Sequence, residues 1–463
     1  MAAEKLPKGI APIALIIVLG ALPATLDSTI VNVAVNSLAK IFSTNLAVIQ
    51  WAITGYVLAM GVAVPFSGWL IRKISGKKLF MGALTLFLIG SLLSGISWNV
   101  GALIVFRIVQ GFAAGIMIPT LTTLIVRLAG SNNLGKLMSL VGIPVVFGPI
   151  IGPVAGGLIM QYLPWSWLFF LNLPIGAVGL LLMQWKLPEF EAEGKSVKLD
   201  WPGVLLLAVG SVSIIYGVTE VVKAAEHNIG IAGIAAGAAA FAAYIFYAYK
   251  NKNTALISLN IFHSKNFSAA FISLFLAGFA INGPMLLFPI FFQNVRGLSV
   301  ISSALWLIPQ GVGMLITRPL IGKLTDRIGA RYVVLPSILL SLAGTLPFVF
   351  FNAAGSPWLV WGALFVRGMG VGGITVPVMA DSYVGLKESH VPMASVATRI
   401  IQNLGAAFGS ALLATVVSSA LAKQAGGPVG AYHARFVTSL AFMAVSIIPA
   451  LFLTNKFTKE DFI

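Results

Sequence analysis

The sequence predicts an all-α polytopic membrane protein of fourteen transmembrane helices, built as two six-helix halves with two helices inserted between them. Three observations predict it. The 463 residues are 58% hydrophobic and only 9% charged, with mean hydropathy +0.97, whereas a soluble domain carries about 25% charged residues. Apolar runs of about 20 residues, each long enough to cross a ~30 Å hydrocarbon layer as a helix, recur along the chain. Short motifs of the first part of the chain also return, in order, in the second.

Charges and Gly, Pro and Asn turns cut the chain into spans at 11–35, 47–70, 79–98, 101–125, 137–161, 166–185, 202–222, 229–249, 268–293, 299–321, 332–352, 358–382, 395–421 and 433–455. The first run follows Lys5 and Lys8, as a signal core would, but it continues past Asp27 to Val35 and is too long for one. It is expected to be the first helix.

Basic residues orient the spans. With the N-terminus in the cytoplasm, 20 of the 29 Lys and Arg fall on inner segments. Five (Lys40, Lys223, Arg296, Lys423 and Arg435) fall on outer segments, and Arg107, Arg318, Arg367 and Arg399 lie within spans. An error of one span would scramble this bias. Both termini are therefore expected in the cytoplasm of a multi-pass cell-membrane protein. The net charge of +16 is then a topology signal, which calls for neither an acidic partner nor nucleic acid.

Several chemistries drop out. There is no cysteine, so disulfides and thiol chemistry are absent. His227, His263, His390 and His433 are spread along span ends and loops, so no metal site is expected. There is no GxxxxGK[ST] loop to hold ATP and no nucleophile–base set, so the protein is not expected to be an enzyme. No cofactor is expected beyond a proton gradient as energy source. The most polar stretch, LPEFEAEGKSVKLDWPG (187–203), reads as a solvated inner linker.

The repeat is carried by three pairs. GWLIRKISGKK (68–78) is echoed by GKLTDRIGAR (322–331), FRIVQGFAAG (106–115) by VRGMGVGG (366–373), and Pro119 by Pro377. The offsets of about 254 to 260 residues correspond to eight spans and loops. The division expected is therefore a first six-helix half at 1–186, a cytoplasmic linker at 187–201, two inserted helices at 202–250 and a second half at 251–463.

LDSTIVNVAV, the loop after span two, RIVQGFAAG, GPIIGPVAGG, WSWLFFLNLPIG, DWPGVLLLA and FFQNVRGLS occur in that order across essentially the whole chain. Together they resemble the fourteen-span drug–proton antiporters of the major facilitator superfamily, the EmrB/QacA type. The resemblance implies the major facilitator fold, an acid in span one coupled to protons, and an arginine in span four that tunes it. The departures are local. In the family's G-x-L-x-D-R-x-G-R loop, Arg72 stands in the acid's place, Ser75 in the glycine's and Gly76 in the arginine's. The second copy keeps Gly322, Asp326, Arg327, Gly329 and Arg331. Ser166 stands where the family usually has arginine, and AVN replaces ALP at the end of span one.

Asp27 and Arg107 lie about 12 and 9 Å from the outer face, at 1.5 Å per helical residue. A lone charge at the bilayer centre costs at least ~2.5 kcal/mol, so each calls for a partner or a watered cavity. A carboxylate raised by burial and lowered by a guanidinium can be poised to take and release a proton; a permanent structural ion pair is the alternative. Asp381, with Arg399 and Arg367, is a candidate second charged site, or Asp381 is a snorkelling helix-end residue. Gly68 and Arg72, with Gly322, Asp326, Arg327, Gly329 and Arg331, are candidates to latch the halves at the cytoplasmic side. In span five, Gly148, Gly152 and Gly156 repeat every four residues beside Pro149 and Pro153, which suggests a packing seam; the resemblance puts this seam between the halves, as a gate. Gly405 and Gly409 suggest a similar seam in span thirteen. Tyr56, Asn282 and Gln293 are candidates to line a cavity, and Glu220 reads as a wetted helix terminus.

The function expected is proton-coupled efflux of amphipathic small molecules by alternating access, by a monomer embedded in the lipid bilayer. A dedicated exporter or flippase of an anionic or zwitterionic lipid or metabolite stands beside it. A non-transporting receptor or assembly partner is the reading from another class.

Overall fold

The computed structural model describes residues 10–129, 134–192, 198–221, 226–252, 254–351, 356–422 and 427–455. Seven of the basic residues counted in the charge bias, Lys5, Lys8, Lys195, Lys223, Lys423, Lys456 and Lys459, lie outside the described residues. So do the side chains of Pro149, Pro153 and Asn282, although their backbone is helical.

Each of the fourteen expected spans corresponds to a helix of 15 residues or more. They are α1 (Ile10–Ile41), α2 (Trp51–Lys73), α3 (Gly76–Gly95), α4 (Val100–Ala129), α5 (Leu134–Tyr162), α6 (Asn172–Lys186), α7 (Trp201–Glu220), α8 (His227–Lys250), α9 (Lys265–Arg296), α10 (Ile308–Ile328), α11 (Ala330–Thr345), α12 (Pro357–Gly372), α13 (Val391–Ala422) and α14 (Gly427–Val445). The short helices Trp167–Phe170 and Val300–Leu305 lead into α6 and α10, and Thr375–Asp381 prolongs α12. Nine helical stretches among the described residues are long and apolar enough to cross a membrane; Lys265–Ile281 and Arg435–Ala450 are shorter apolar helices. No strand occurs among the described residues.

Local chemistry sets the helix ends. Asp200 caps α7 by accepting from the Gly203 amide, and Pro202 fills the first turn, where no donor is needed. Ser264 caps α9 by accepting from the Phe267 amide, and Gly297 ends it at φ +67, a conformation that favours glycine. Two expectations shift. α14 begins earlier than expected, so Arg435 is not an outer-loop residue: it is fully buried in the helix, its guanidinium 4.3 Å from the Tyr432 ring centre. Glu220 is not wetted but 5% exposed, because Gly217, Gly230 and Gly233 bring α8 close against that end of α7.

Among the first six helices, α2 and α3 pack on α4, α5 on α1, and α6 on α1 and α3. Among the last six, α9 packs on α13, α10 and α11 on α12, and α14 on α9 and α13. The two sets meet along α5–α10 and along α2–α13, with α4 also against α13. The inserted pair is a tight hairpin, and its α7 lies against both α2 and α13.

Glycines make the closest of these approaches. A Cβ on Gly148 would lie 2.8 Å from the Thr25 carbonyl oxygen, and one on Gly152 2.1 Å from Thr29 Oγ1. Thr29 hydroxyl donates to the Gly148 carbonyl at 2.8 Å. Small residues at this spacing let helix backbones touch, which is how helices associate where lipid supplies no hydrophobic drive. The Gly148, Gly152 and Gly156 stripe therefore packs on α1, inside the first six helices, and not against the second set as expected. α5 still runs between the two sets, against α10 and the short helices Thr375–Asp381 and Val300–Leu305, with Gly135 in its first turn set against Gly322 of α10.

Candidate functional site: a buried ion pair and a central cavity

Asp27 sits in the middle of α1, where no charged residue occurs between it and Ile10. Its side chain is 0% exposed and Arg107, on α4, is 1% exposed. Arg107 Nη1 donates to Asp27 Oδ2, its Nε donates to the Ala52 carbonyl at 3.1 Å, and Nη1 also reaches Gln110 Oε1 at 3.0 Å. The other carboxylate oxygen accepts from Asn172 Nδ2 at 3.1 Å, and the same amide donates to Ser91 Oγ at 3.0 Å. The Arg107 guanidinium stacks 4.2 Å over the Tyr56 ring centre, and the Tyr56 hydroxyl donates to the Ala24 carbonyl at 3.3 Å. Such a pair is stable in a dry interior only when its remaining hydrogen-bonding sites are filled. Here α1, α2, α3, α4 and α6 converge to fill them.

Asn172, Ser91 and Gln110 were not singled out from the sequence. The available signal was a lone amide, Asn172, in the apolar run WLFFLNLPIG, which read as part of a motif rather than as a polar group needing a partner.

The opposite face of α1 looks into a cavity of about 330 Å³ between the first and last six helices. Thr25, Ser28 and Thr29 line it on this side; Gln310, Arg318, Arg399, Gln402 and Asn403 line it on the other. Much of the rest is flexible and apolar, including Met138, Met285, Met314 and Met379. Asp27 is not among the lining residues, because one helix cannot turn residue 27 and residues 25 and 29 to the same side.

The expected second charged site is dispersed. Arg399 lines the cavity. Arg367 does not; it is fully buried against α10, where Nη1 donates to Gln310 Oε1 at 2.8 Å and the guanidinium lies 4.9 Å from the Phe288 ring centre. Asp381 is fully buried and accepts from the Thr454 amide at 3.3 Å. Of the cavity candidates, Tyr56 faces Arg107 instead, Gln293 lies near the far end of α9 away from this cavity, and the Asn282 side chain is outside the described residues.

The end of the bundle at which α1 begins carries the basic loops. There Asp326 caps a helix of the other six: Asp326 Oδ1 accepts from the Gly135 amide at 2.6 Å and Oδ2 from the Lys136 amide at 3.0 Å, at the start of α5. A carboxylate at a helix N-terminus satisfies free amides and the positive end of the helix dipole. Gly322 permits the approach, since a Cβ there would lie 2.7 Å from the Gly135 carbonyl oxygen. Asp326 lies beyond the membrane-spanning part of α10. Burial pushes its carboxyl up, outweighing the Gly135 and Lys136 amides and the Lys136 charge, to about 6.

The first copy of the loop is built differently. Gly68 touches Val396 on α13, where a Cβ would come within 2.9 Å. Counted from the matching glycines (Gly148 with Gly405, Gly152 with Gly409), Gly135 corresponds to Pro392, which has no amide to donate. Arg72 in the acid's place and Pro392 at the partner helix thus remove acceptor and donor together. Thr123 Oγ1 and Ser395 Oγ, 2.9 Å apart, bridge α4 and α13 near this end instead. Arg327 is exposed, Gly329 turns at φ +87, and Arg331 Nη1 donates to Asn455 Oδ1 at 3.3 Å. The linker is docked where described: the Phe190 carbonyl accepts from the Gly76 amide at 3.1 Å and Glu189 Oε2 from Ser75 Oγ at 2.6 Å. Ser75, a departure from the resembling loops, has thus acquired a partner.

Comparison with known proteins places these features in a lineage. Residues 17–410 match the family model described as Major Facilitator Superfamily. The "Multidrug resistance protein B homolog" of Mycobacterium tuberculosis (strain ATCC 25618 / H37Rv) is 30% identical, over 98% of this chain and 92% of that one. The "Putative multidrug resistance protein MdtD" of Serratia proteamaculans (strain 568) is 29% identical, over 94% and 91%. Among solved structures, the proton:xylose symporter XylE bound to 6-bromo-6-deoxy-D-glucose superposes with TM-score 0.66 at 16% identity, over 96% of this chain and 97% of that one. The human organic anion transporter MFSD10 (TETRAN) does so with TM-score 0.65 at 13% identity, over 96% and 100%. At these identities the two structures share the fold alone.

Proposed function

This chain belongs to the Major Facilitator Superfamily, and from that premise we propose that it exports amphipathic small molecules from the cytoplasm in exchange for protons, by alternating access. The observation that carries the reading is the pairing of two sites on one helix. The face of α1 with Asp27 is sealed against Arg107 and Asn172, while the face with Thr25 and Thr29 lines an amphipathic cavity. Relatives named for multidrug resistance, similar over nearly the whole chain, support the direction and breadth of transport.

In this reading the first six helices (1–186) and the last six (251–463) rock about the cavity, joined by the linker (187–201) and the inserted pair (202–250). Asp27 takes a proton from outside and releases it inside, with Arg107 holding its charge and Asn172 its orientation. Asp326 latches the cytoplasmic end. The excess of Lys and Arg at that end supports cytoplasmic termini and a place in the cell membrane. The protein acts as a monomer, with the proton gradient as its energy source and no cofactor.

The test is transport in proteoliposomes under an imposed pH gradient. Wild type is expected to accumulate an amphiphile against its gradient, and Asp27→Asn to lose the response to pH while retaining exchange of substrate at equal pH. Undiminished gradient-driven transport by Asp27→Asn would remove the proton role of Asp27, and wild-type transport indifferent to the gradient would remove proton coupling.

A further inference from the structure

We propose that the central cavity selects amphiphiles with an anionic group, held between Arg318 and Arg399. The proposal rests on the exporter reading above and names the substrate class of the same cavity. Both arginines line the cavity, from α10 and α13. Arg318 is only 4% exposed, and among the described residues the protein supplies no acceptor to its Nε or Nη1, nor to Arg399 Nε. A guanidinium keeps its charge at physiological pH, and a buried charge left without a partner is strongly unfavourable. The site is thus complete only when something else supplies oxygen acceptors.

Nothing lining the cavity can do so with charge, since there is no Asp or Glu among the lining residues. Asp27 is turned away and engaged with Arg107 and Asn172, and Asp326 is engaged at the basic end with α5. An amphipathic cation would therefore meet two like charges and no counter-charge. A carboxylate, sulfonate or phosphate would meet guanidinium forks that match its paired oxygens. The Gln402 and Asn403 amides stand on the next turn of α13 from Arg399 to complete the polar end. Four methionines of the lining, Met138, Met285, Met314 and Met379, offer an adaptable surface to an apolar body of variable shape.

Three probes share one fluorophore and differ in charge: dansylglycine (anion), its amide (neutral) and dansylcadaverine (cation). Their binding to the purified protein in phosphatidylcholine nanodiscs is followed by fluorescence anisotropy. Wild type is expected to bind dansylglycine about tenfold or more tightly than the amide, and dansylcadaverine weakest. Arg318→Gln and Arg399→Gln should each reduce that preference and the double variant erase it, while Arg399→Lys keeps part of it. A thermal unfolding midpoint close to that of wild type reports that each variant is folded. Equal wild-type affinity for the acid and the amide, or a preference that survives the double variant, overturns the proposal. Phosphatidylglycerol added to the nanodiscs identifies the source of the anion: displacement of dansylglycine assigns it to lipid headgroups, and no displacement to soluble amphiphiles. Transport of the same probes in proteoliposomes separates the two readings. Gradient-driven export of the amide or the cation without an anion preference sinks the anion site and leaves efflux standing. Anion-selective binding with no probe transported sinks efflux and leaves the site.

Discussion

Asp27 was legible in the sequence because a single carboxylate in a long apolar run has no cheap explanation, and Arg107 because it is one of few charges within spans. Asn172 was not. An amide in a membrane helix costs far less than a charge, so nothing in the chain distinguishes one that orients a carboxylate from one that faces a neighbouring carbonyl. Its geometry gives a specific expectation. Asn172→Leu removes the donor to Asp27 Oδ1 and to Ser91, leaving a buried acceptor unsatisfied, which costs about 1–3 kcal/mol. A lowered thermal midpoint, together with an altered pH profile of transport, is the expected readout; a lowered midpoint with an unchanged profile would reduce Asn172 to a structural role. Arg107→Leu should be harsher, at about 3–5 kcal/mol, because it strands a buried carboxylate.

At the scale of helices, the length of the apolar runs and the charges and turns between them located the fourteen long elements, since each had to be about 20 apolar residues to span the bilayer. It did not reveal which helix each glycine stripe faces, because spacing defines a face without naming its neighbour. Packing also corrects the repeat. Gly111 abuts the Tyr56 carbonyl as Gly368 abuts that of Gln310, and Gly90 abuts Gln110 as Gly344 abuts Arg367. Arg367 therefore stands where Gln110 does, not where Arg107 does. By the same reasoning Gly148 against Thr25 and Gly405 against Phe275 pair Asp27 with Ala277, so the carboxylate has no counterpart in the second half. The glycines also separate by consequence. Gly111→Ala would drive a Cβ to 2.1 Å from the Tyr56 carbonyl oxygen and force α2 and α4 apart, at about 1–3 kcal/mol. Gly82→Ala meets nothing within 4 Å and is expected to be neutral or to stabilise by up to about 1 kcal/mol through helix propensity. Thermal unfolding of the two variants in one detergent tests the contrast.

At the scale of the whole molecule, the Asp326 cap makes closure at the basic end depend on pH. Burial in the latched state raises the carboxyl to about 6, while in an open state it returns to its ordinary, lower range. The latched form thus binds the proton more tightly. Falling pH favours it, and that advantage is lost as pH rises through about 6. Because the chain has no cysteine, a single Ser395→Cys at the α4–α13 contact reports opening through its maleimide labelling rate. Acidification should slow labelling more in that protein than in the same protein carrying Asp326→Asn, compared at each pH. Equal pH dependence in the two would remove Asp326 from the control of closure.

Two seams run between the two sets of six helices, α5–α10 and α2–α13, and the hairpin lies along only one of them, with α7 against both α2 and α13. In a pseudo-symmetric molecule the two seams would offer the bilayer equivalent doorways. The added pair makes them unequal: a molecule dissolved in the surrounding lipid meets a double wall on one flank and a single seam on the other. A molecule entering the cavity from the lipid would thus meet unequal flanks, and the two extra helices give the protein a front and a back within the plane of the membrane.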